Sequence, residues 1–313
     1  MSQDKVAIVG SGLIGSCWAT LFASAGYSVT MYDISYDQLE KAKANVKTNL
    51  EKLSNEGLLR GTIPADKAFS AVNVTTSLKD ALDEAVYVQE STLESVDHKK
   101  KIFAEMDALV GENTVLGSST STIPASQFTE NLVHRGNCLV VHPVNPPLYL
   151  PLTEIVPAPW TSQEAVEKVR DIMKSIGQEP VCLKKEVLGF AVNRLQFALL
   201  AEAWRLVSDD VLSPSDVDKV MSAGLGPRYA FKGPFATIHM NANGVMDYCD
   251  RYMAGVKRVL ADLGPIPTFE EPQALKEIDT SLTAEMPLDK LNEHKAQREK
   301  NLAALMQLKK SKQ

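Results

Sequence analysis

Two stretches of the chain hold residue types at spacings that suit chemistry. The first is Gly10-Ser11-Gly12-Leu13-Ile14-Gly15, followed eighteen positions later by Asp33. Glycine allows a tight turn at Gly10, a close approach of backbone N–H groups to a pyrophosphate at Gly12, and close helix–strand packing at Gly15. The helix that follows then turns its unpaired N–H groups toward phosphate charge. Asp33 can accept hydrogen bonds from both adenosine ribose hydroxyls and would repel a 2′-phosphate. Ile34 and Ser35 bring no cation to offset that repulsion, so NAD is expected over NADP; a flavin uses the same loop. The second stretch is His142-Pro143-Val144-Asn145-Pro146-Pro147, with Glu154 twelve residues past the histidine. A carboxylate holding one nitrogen of an imidazole is the arrangement of a general base and its orienting partner. Taken alone, a histidine at a strand end is more often structural than catalytic, and Glu154 reads equally as a surface residue of an edge strand.

These residues need elements to position them. Short β-branched runs at 5–9, 28–32, 73–75, 86–89, 114–116 and 138–141 alternate with longer helical patterns, which argues for a parallel sheet with crossover helices. The glycine loop follows the first run, Asp33 ends the second and His142 follows the sixth. Runs at 152–156 and 180–183 flank a helical stretch at 162–175, stopped by Gly177, and extend the sheet at its far edge. Past Gly189 the strand signal ends, and residues 190–207 are apolar on nearly every face, as expected for a helix buried on all sides. The expectation is an α/β chain. Residues 1–188 form a Rossmann-type, doubly wound, mainly parallel sheet, and 189–313 form an all-α domain docked through the short charged link at 184–188. Residues 293–308 read as an amphipathic helix, with Leu302, Leu305, Met306 and Leu308 on one side, docked on its own domain.

Composition narrows the function classes. With 313 residues, 44% hydrophobic and 23% charged, the chain can bury a sizeable core, which rules out disorder as its main state. Its 33 basic residues against 39 acidic ones give a net charge of -6. The only basic block is the Lys309, Lys310, Lys312 tail, so nucleic acid is not an expected partner. No apolar run reaches the ~18 residues of a membrane span, and Met1 to Lys5 lead straight into a strand pattern, with no expected leader. Cys17, Cys138, Cys182 and Cys249 are scattered in apolar contexts, which reads as core thiols in a reducing, cytoplasmic compartment. Their spacing fits no metal site.

Several motifs together resemble the L-3-hydroxyacyl-CoA dehydrogenase superfamily over nearly the whole chain. They are the glycine loop with Asp33, Ser118-Ser119-Thr120-Ser121, His142-Pro-Val-Asn-Pro, Glu154, and Gly189-Phe190-Ala191-Val192-Asn193-Arg194. The stretches beginning at Glu202, Ser213 and Gly224 resemble its lambda-crystallin branch most closely. The resemblance implies His142 as general base, Glu154 as its carboxylate partner, and Ser121 and Asn193 as hydrogen-bonding groups on the substrate oxygen. It also implies backbone contacts from Leu13 and Ile14 to the pyrophosphate, and Glu94 and Lys99 beside the nicotinamide ribose. Without it, Asn193 reads as an internal cap or helix–helix hydrogen bond, and Ser121 as a loop hydroxyl capping the turn near Pro124. One departure is Ser119, where fatty-acyl members carry Asn.

The implied activity is NAD-dependent oxidation of the 3-hydroxyl of a small hydroxy acid, with L-gulonate as the branch's substrate. The alternatives are a short 3-hydroxyacyl-CoA or carnitine as substrate, or a structural, NAD(H)-binding crystallin role. A free acid needs a cation, and Arg228, in the glycine- and proline-rich stretch 224–234, reads equally as that cation and as a clamp on backbone carbonyls. The apolar 190–207 helix, more than a small domain can bury, points to a homodimer.

Overall fold

β1 (Lys5–Val9) is the centre of the sheet: Val6 and Ile8 point into one apolar layer, Ala7 and Val9 into the other, and all four are wholly buried. The structure, a computed structural model, describes residues 4–312, so the Met1–Gln3 part of the leader reading lies outside the described residues. The other strands are β2 (Ser28–Tyr32), β3 (Val72–Thr75), β4 (Ala85–Glu90), β5 (Val115–Ser118), β6 (Cys138–Pro143), β7 (Leu152–Pro157) and β8 (Glu179–Cys182). They lie in the order β3-β2-β1-β4-β5-β6-β7-β8. All pairs are parallel except β6 with β7. The strand order reverses between β1 and β4, which opens a crevice at the carboxyl ends of those strands, where open α/β sheets take their ligands.

Helices cover both faces because their apolar residues recur at helical spacing. In Tyr36–Asn55, capped by the Ser35 side chain, Leu39, Ala42, Val46, Leu50 and Leu53 are the buried residues. Gln163–Ser175 matches the expected far-edge helix: the Ser162 hydroxyl accepts the Ala165 N–H, and Gly177, at φ +73°, takes the left-handed conformation that ends it.

The chain divides into two compact units. The sheet unit runs through Arg194 and also takes in the described residues from Glu299 onward, and the helical unit is Leu195–Arg298. The C-terminal helix, Leu291–Lys310, therefore does not dock on its own domain as the sequence suggests. Ala303, with Leu302 and Met306, joins the core of the sheet unit. Glu299 pairs with Lys52 at 2.7 Å, and Gln307 Nε2 donates to the Glu56 carbonyl at 2.6 Å. Apolar periodicity shows that a helix docks but not on what.

The helix expected to be buried on all sides, Val192–Ser208, is also different. Leu195, Phe197, Leu199 and Leu200 are exposed in the single chain. The helical unit keeps a small buried cluster of Val207, Val217 and Ala274, flanked by Ala203, Leu206, Leu212 and Ile278. Of the cysteines, Cys17 and Cys138 are core thiols, but Cys182 is exposed on the edge strand β8 and Cys249 is half-buried. Burial, aided by the Glu299 charge, pushes the Cys17 thiol up to about 12.

Candidate active site

The turn after β1 is shaped so that only glycine fits at two of its positions. Gly10 has φ +97°, and a Cβ there would lie 2.6 Å from the Ser91 carbonyl oxygen; a Cβ on Gly15 would overlap the Gly10 carbonyl oxygen. Above Gly12 the space is open, and the Leu13–Ser24 helix begins there with no side chain capping it. The first amides of that helix, at Leu13 and Ile14, are thus left to a ligand's phosphate oxygens. Asp33 ends β2 with its carboxylate held: Oδ2 accepts from Ser11 N (3.0 Å) and Ser11 Oγ (2.8 Å), and Oδ1 from Ser35 N (3.2 Å). Gly10, Ser11, Gly12 and Asp33, together with Ile34 and Ser91, line a cavity of about 590 Å³. An anion-binding helix start, a close-approach glycine and a fixed carboxylate fit a dinucleotide with free ribose hydroxyls.

The second constellation comes from the antiparallel pairing of β6 and β7, whose register sets His142 directly opposite Glu154. Directly opposed residues put their side chains on the same face of the sheet, so the twelve-residue gap closes into a bond of 2.8 Å between His142 Nδ1 and Glu154 Oε2. The other carboxylate oxygen accepts from Ala191 N (2.7 Å) and Val192 N (3.0 Å), at the start of the Val192–Ser208 helix. Burial works against the charged form of Glu154. The bonds from His142 and the two amides outweigh it and hold the carboxyl below its usual range. A charged Glu154 keeps the imidazole proton on Nδ1, which leaves the Nε2 lone pair free to accept a proton. Phe190 packs on the ring at 5.7 Å.

Ser121 and Asn193 are brought together: Asn193 Nδ2 donates to the Ser121 carbonyl at 2.7 Å. That bond joins the helix to the loop after β5, and is neither the internal cap nor the helix–helix bond that Asn193 suggests on its own residue type. Ser121 does not cap the turn; Thr120 does, accepting from Ile123 N at 3.0 Å. The Ser121 hydroxyl and amide both donate to Glu94, at 3.3 and 3.0 Å, and the Thr120 hydroxyl at 2.6 Å. Burial opposes the Glu94 charge, and the Thr120 bond, the Lys99 ammonium and the loop amides hold its carboxyl below the usual range.

Lys99 is buried, and its main partner is one that sequence reasoning missed. Glu90, at the end of β4, accepts from Lys99 Nζ at 3.0 and 3.1 Å, from the Ser118 hydroxyl at 2.5 Å, and from Thr92 N and Oγ1 at 2.6 Å each. Lys99 stands 3.6 Å from Glu94. Glu90–Lys99–Glu94 is thus a charge chain leading from the sheet to Ser121. The available signal was an acid closing a strand that opens apolar, a residue type that is seldom fully buried unless paired.

Despite the glycines and prolines around it, Arg228 lies in a short helix, Gly226–Tyr229, that follows a π-helical segment, Val220–Leu225. It is exposed, and among the described residues no hydrogen bond or ion pair holds it, so the clamp on backbone carbonyls is not observed.

The chain matches two domain families in succession: 3-hydroxyacyl-CoA dehydrogenase, NAD binding domain, over residues 5–187, and 3-hydroxyacyl-CoA dehydrogenase, C-terminal domain, over 189–270. It is 45% identical to a lambda-crystallin homolog of Homo sapiens over 91% of this chain and 89% of that one. It is 32% identical to an L-carnitine dehydrogenase of Oceanobacillus iheyensis over 93% and 88%. Among solved structures, an NAD+ dependent dismutase, 5-formyl-3-hydroxy-2-methylpyridine 4-carboxylic acid 5-dehydrogenase, superposes with a TM-score of 0.84 at 28% identity, covering 98% of both chains.

Proposed function

Because the chain belongs to the 3-hydroxyacyl-CoA dehydrogenase family, on its lambda-crystallin branch, we propose that this NAD-dependent oxidoreductase oxidises the 3-hydroxyl of L-gulonate to 3-dehydro-L-gulonate. The observation that carries the chemistry is the His142–Glu154 pair across β6 and β7. Oxidising a secondary alcohol removes the hydroxyl proton and a hydride from the same carbon. His142 Nε2 takes the proton, and Glu154, fixed by two helix amides, stabilises the imidazolium that results. NAD, when bound, supplies the acceptor for the hydride. The residues that would hold it are Gly10, Gly12, Gly15, the Leu13 and Ile14 amides and Asp33, and Glu94 and Lys99 would serve its nicotinamide ribose. Ser121 and Asn193 hold the substrate oxygen. The Ser121 hydroxyl makes only a long bond to Glu94, which a substrate oxygen can replace.

The L-gulonate assignment is supported by the identity to lambda-crystallin relatives and by Arg228, a guanidinium with no partner among the described residues and suited to a free carboxylate. The test is a panel assay following NADH absorbance with L-gulonate, L-3-hydroxybutyrate, carnitine and 3-hydroxybutyryl-CoA. The expected result is the highest kcat/KM with L-gulonate. A win for carnitine or the acyl-CoA would overturn the substrate and keep the chemistry; binding of NADH without turnover of any hydroxy acid would favour a structural role.

The same reading makes the protein a homodimer, with the exposed apolar side of the Val192–Ser208 helix as the contact surface, and places it in the cytoplasm, in keeping with four unpaired cysteines.

A further inference from the structure

Beside the cofactor loop, five polar side chains form a network that the mechanism above does not use. Tyr87 and Gln89, both on β4, are fully buried, and the Tyr87 hydroxyl donates to Gln89 Oε1. Gln89 Nε2 donates to the Val141 carbonyl at 3.2 Å and to Ser119 Oγ at 2.7 Å. A carbonyl can only accept, so exchanging the amide oxygen and nitrogen of Gln89 would set two acceptors face to face; its orientation is fixed. Trp18 Nε1, a donor only, reaches Ser119 Oγ at 3.1 Å. Both acceptor positions of the Ser119 hydroxyl are then filled, and its single proton goes to its third neighbour, Ser91 Oγ, at 2.9 Å. The bond between the two serines, which distance alone leaves without a direction, runs from Ser119 to Ser91.

Ser91 follows β4 directly. Its N–H is bonded to the Val9 carbonyl at 2.7 Å, its own carbonyl fills the space against Gly10, and its side of the chain lines the cofactor cavity. With Ser119 donating to it, the Ser91 hydroxyl cannot also spend its proton on Ser119. Among the described residues no other acceptor takes that proton. We propose that Ser91 is a cofactor-positioning residue whose hydroxyl, aimed by Ser119, donates to an acceptor oxygen of the bound dinucleotide. The buried amide and phenol behind it keep the donor from turning inward, so the direction is set before the cofactor arrives. This rests on the NAD reading of the cavity.

The test is titration of the protein with NADH, followed by nucleotide fluorescence, for wild type, Ser91→Ala, Ser91→Thr and Ser119→Ala, with melting curves for each. One neutral hydrogen bond lost from a bound ligand weakens binding about 2- to 10-fold. Ser91→Ala is expected to show that loss in Kd, and in KM for NAD more than in kcat, with a melting temperature lowered less than in Ser119→Ala; Ser91→Thr, which keeps the hydroxyl, restores binding. Ser119→Ala leaves two buried donors unpaired and releases Ser91, so it lowers both the melting temperature and NADH affinity. A wild-type Kd in Ser91→Ala, or equal weakening in Ser91→Ala and Ser91→Thr, would overturn the proposal. Wild-type protein that takes up no NADH would instead remove the cofactor reading beneath it.

Discussion

In the sheet unit, Val6 to Val9 of β1 are wholly buried between two apolar layers, whereas in the helical unit the buried cluster is Val207, Val217 and Ala274, while Leu195, Phe235 and Ile266 stand mostly in solvent. The first unit closes its own core, so it can hold His142, Glu154 and the glycine turn to within a hydrogen bond. The second is rich in apolar side chains that it does not cover. Rigid positioning and an uncovered apolar surface are thus divided between the two halves of one chain, and the proposed homodimer rests on the second.

Equal truncations in the two units put that comparison at risk most directly. Leu50 is fully buried in the sheet unit, and Leu50→Ala is expected to cost about 2–5 kcal/mol in urea unfolding at every protein concentration. Leu195 is 72% exposed in the single chain, and Leu195→Ala is expected to change intrinsic stability by only about 0.5 kcal/mol. It should instead shift sedimentation toward monomer and weaken the concentration dependence of the melting temperature that the proposed dimer shows. Similar losses from both, with no change in sedimentation, would erase the contrast.

Arg228 sharpens the comparison from the helical side, since it is the residue there proposed to meet substrate. Arg228→Met keeps length and removes charge, and loss of a charge-assisted bond costs about 1.5–3 kcal/mol, which should appear as a raised KM for L-gulonate with little change for an uncharged 3-hydroxy analogue. A KM that stays put for L-gulonate removes Arg228 from the site and reopens the acyl-CoA alternative.

The smallest effect is a pH dependence in the sheet unit. The Glu154 carboxyl is held below the ordinary 4.5, so its stabilising bonds are fully present above that pH and are lost as pH falls through the lower, folded value. Glu154→Gln should cost on the order of 1 kcal/mol at neutral pH, and the gap from wild type should narrow in urea melts taken from pH 6 down to pH 3. A gap constant over that range would contradict the charged carboxylate.

What was legible in the sequence follows the same division. The strand runs, the glycine turn and the placement of Asp33 and His142 could be read because parallel strands and tight turns leave local signatures of β-branched residues and glycine. Glu90 could not, because an acid becomes a buried partner only when β4 and the helix carrying Lys99 are packed together. Nor could the bonds of Ser119, whose neighbours Trp18, Gln89 and Ser91 come from two distant parts of the chain. The 190–207 helix was legible as apolar but not as exposed, and residues 293–308 were legible as a docking helix but not as joining the sheet unit from Glu299 onward. In both, the pattern records a buried face and says nothing of its partner.

The central claim is that His142, held by Glu154, is the base of an NAD-dependent alcohol oxidation. The most direct measurement is the rate of NADH formation by His142→Ala with the best substrate of the panel, alongside its Kd for NADH. The account predicts a rate lower by about 10²- to 10⁴-fold with NADH affinity intact. Turnover at the wild-type rate would contradict it and place the base elsewhere.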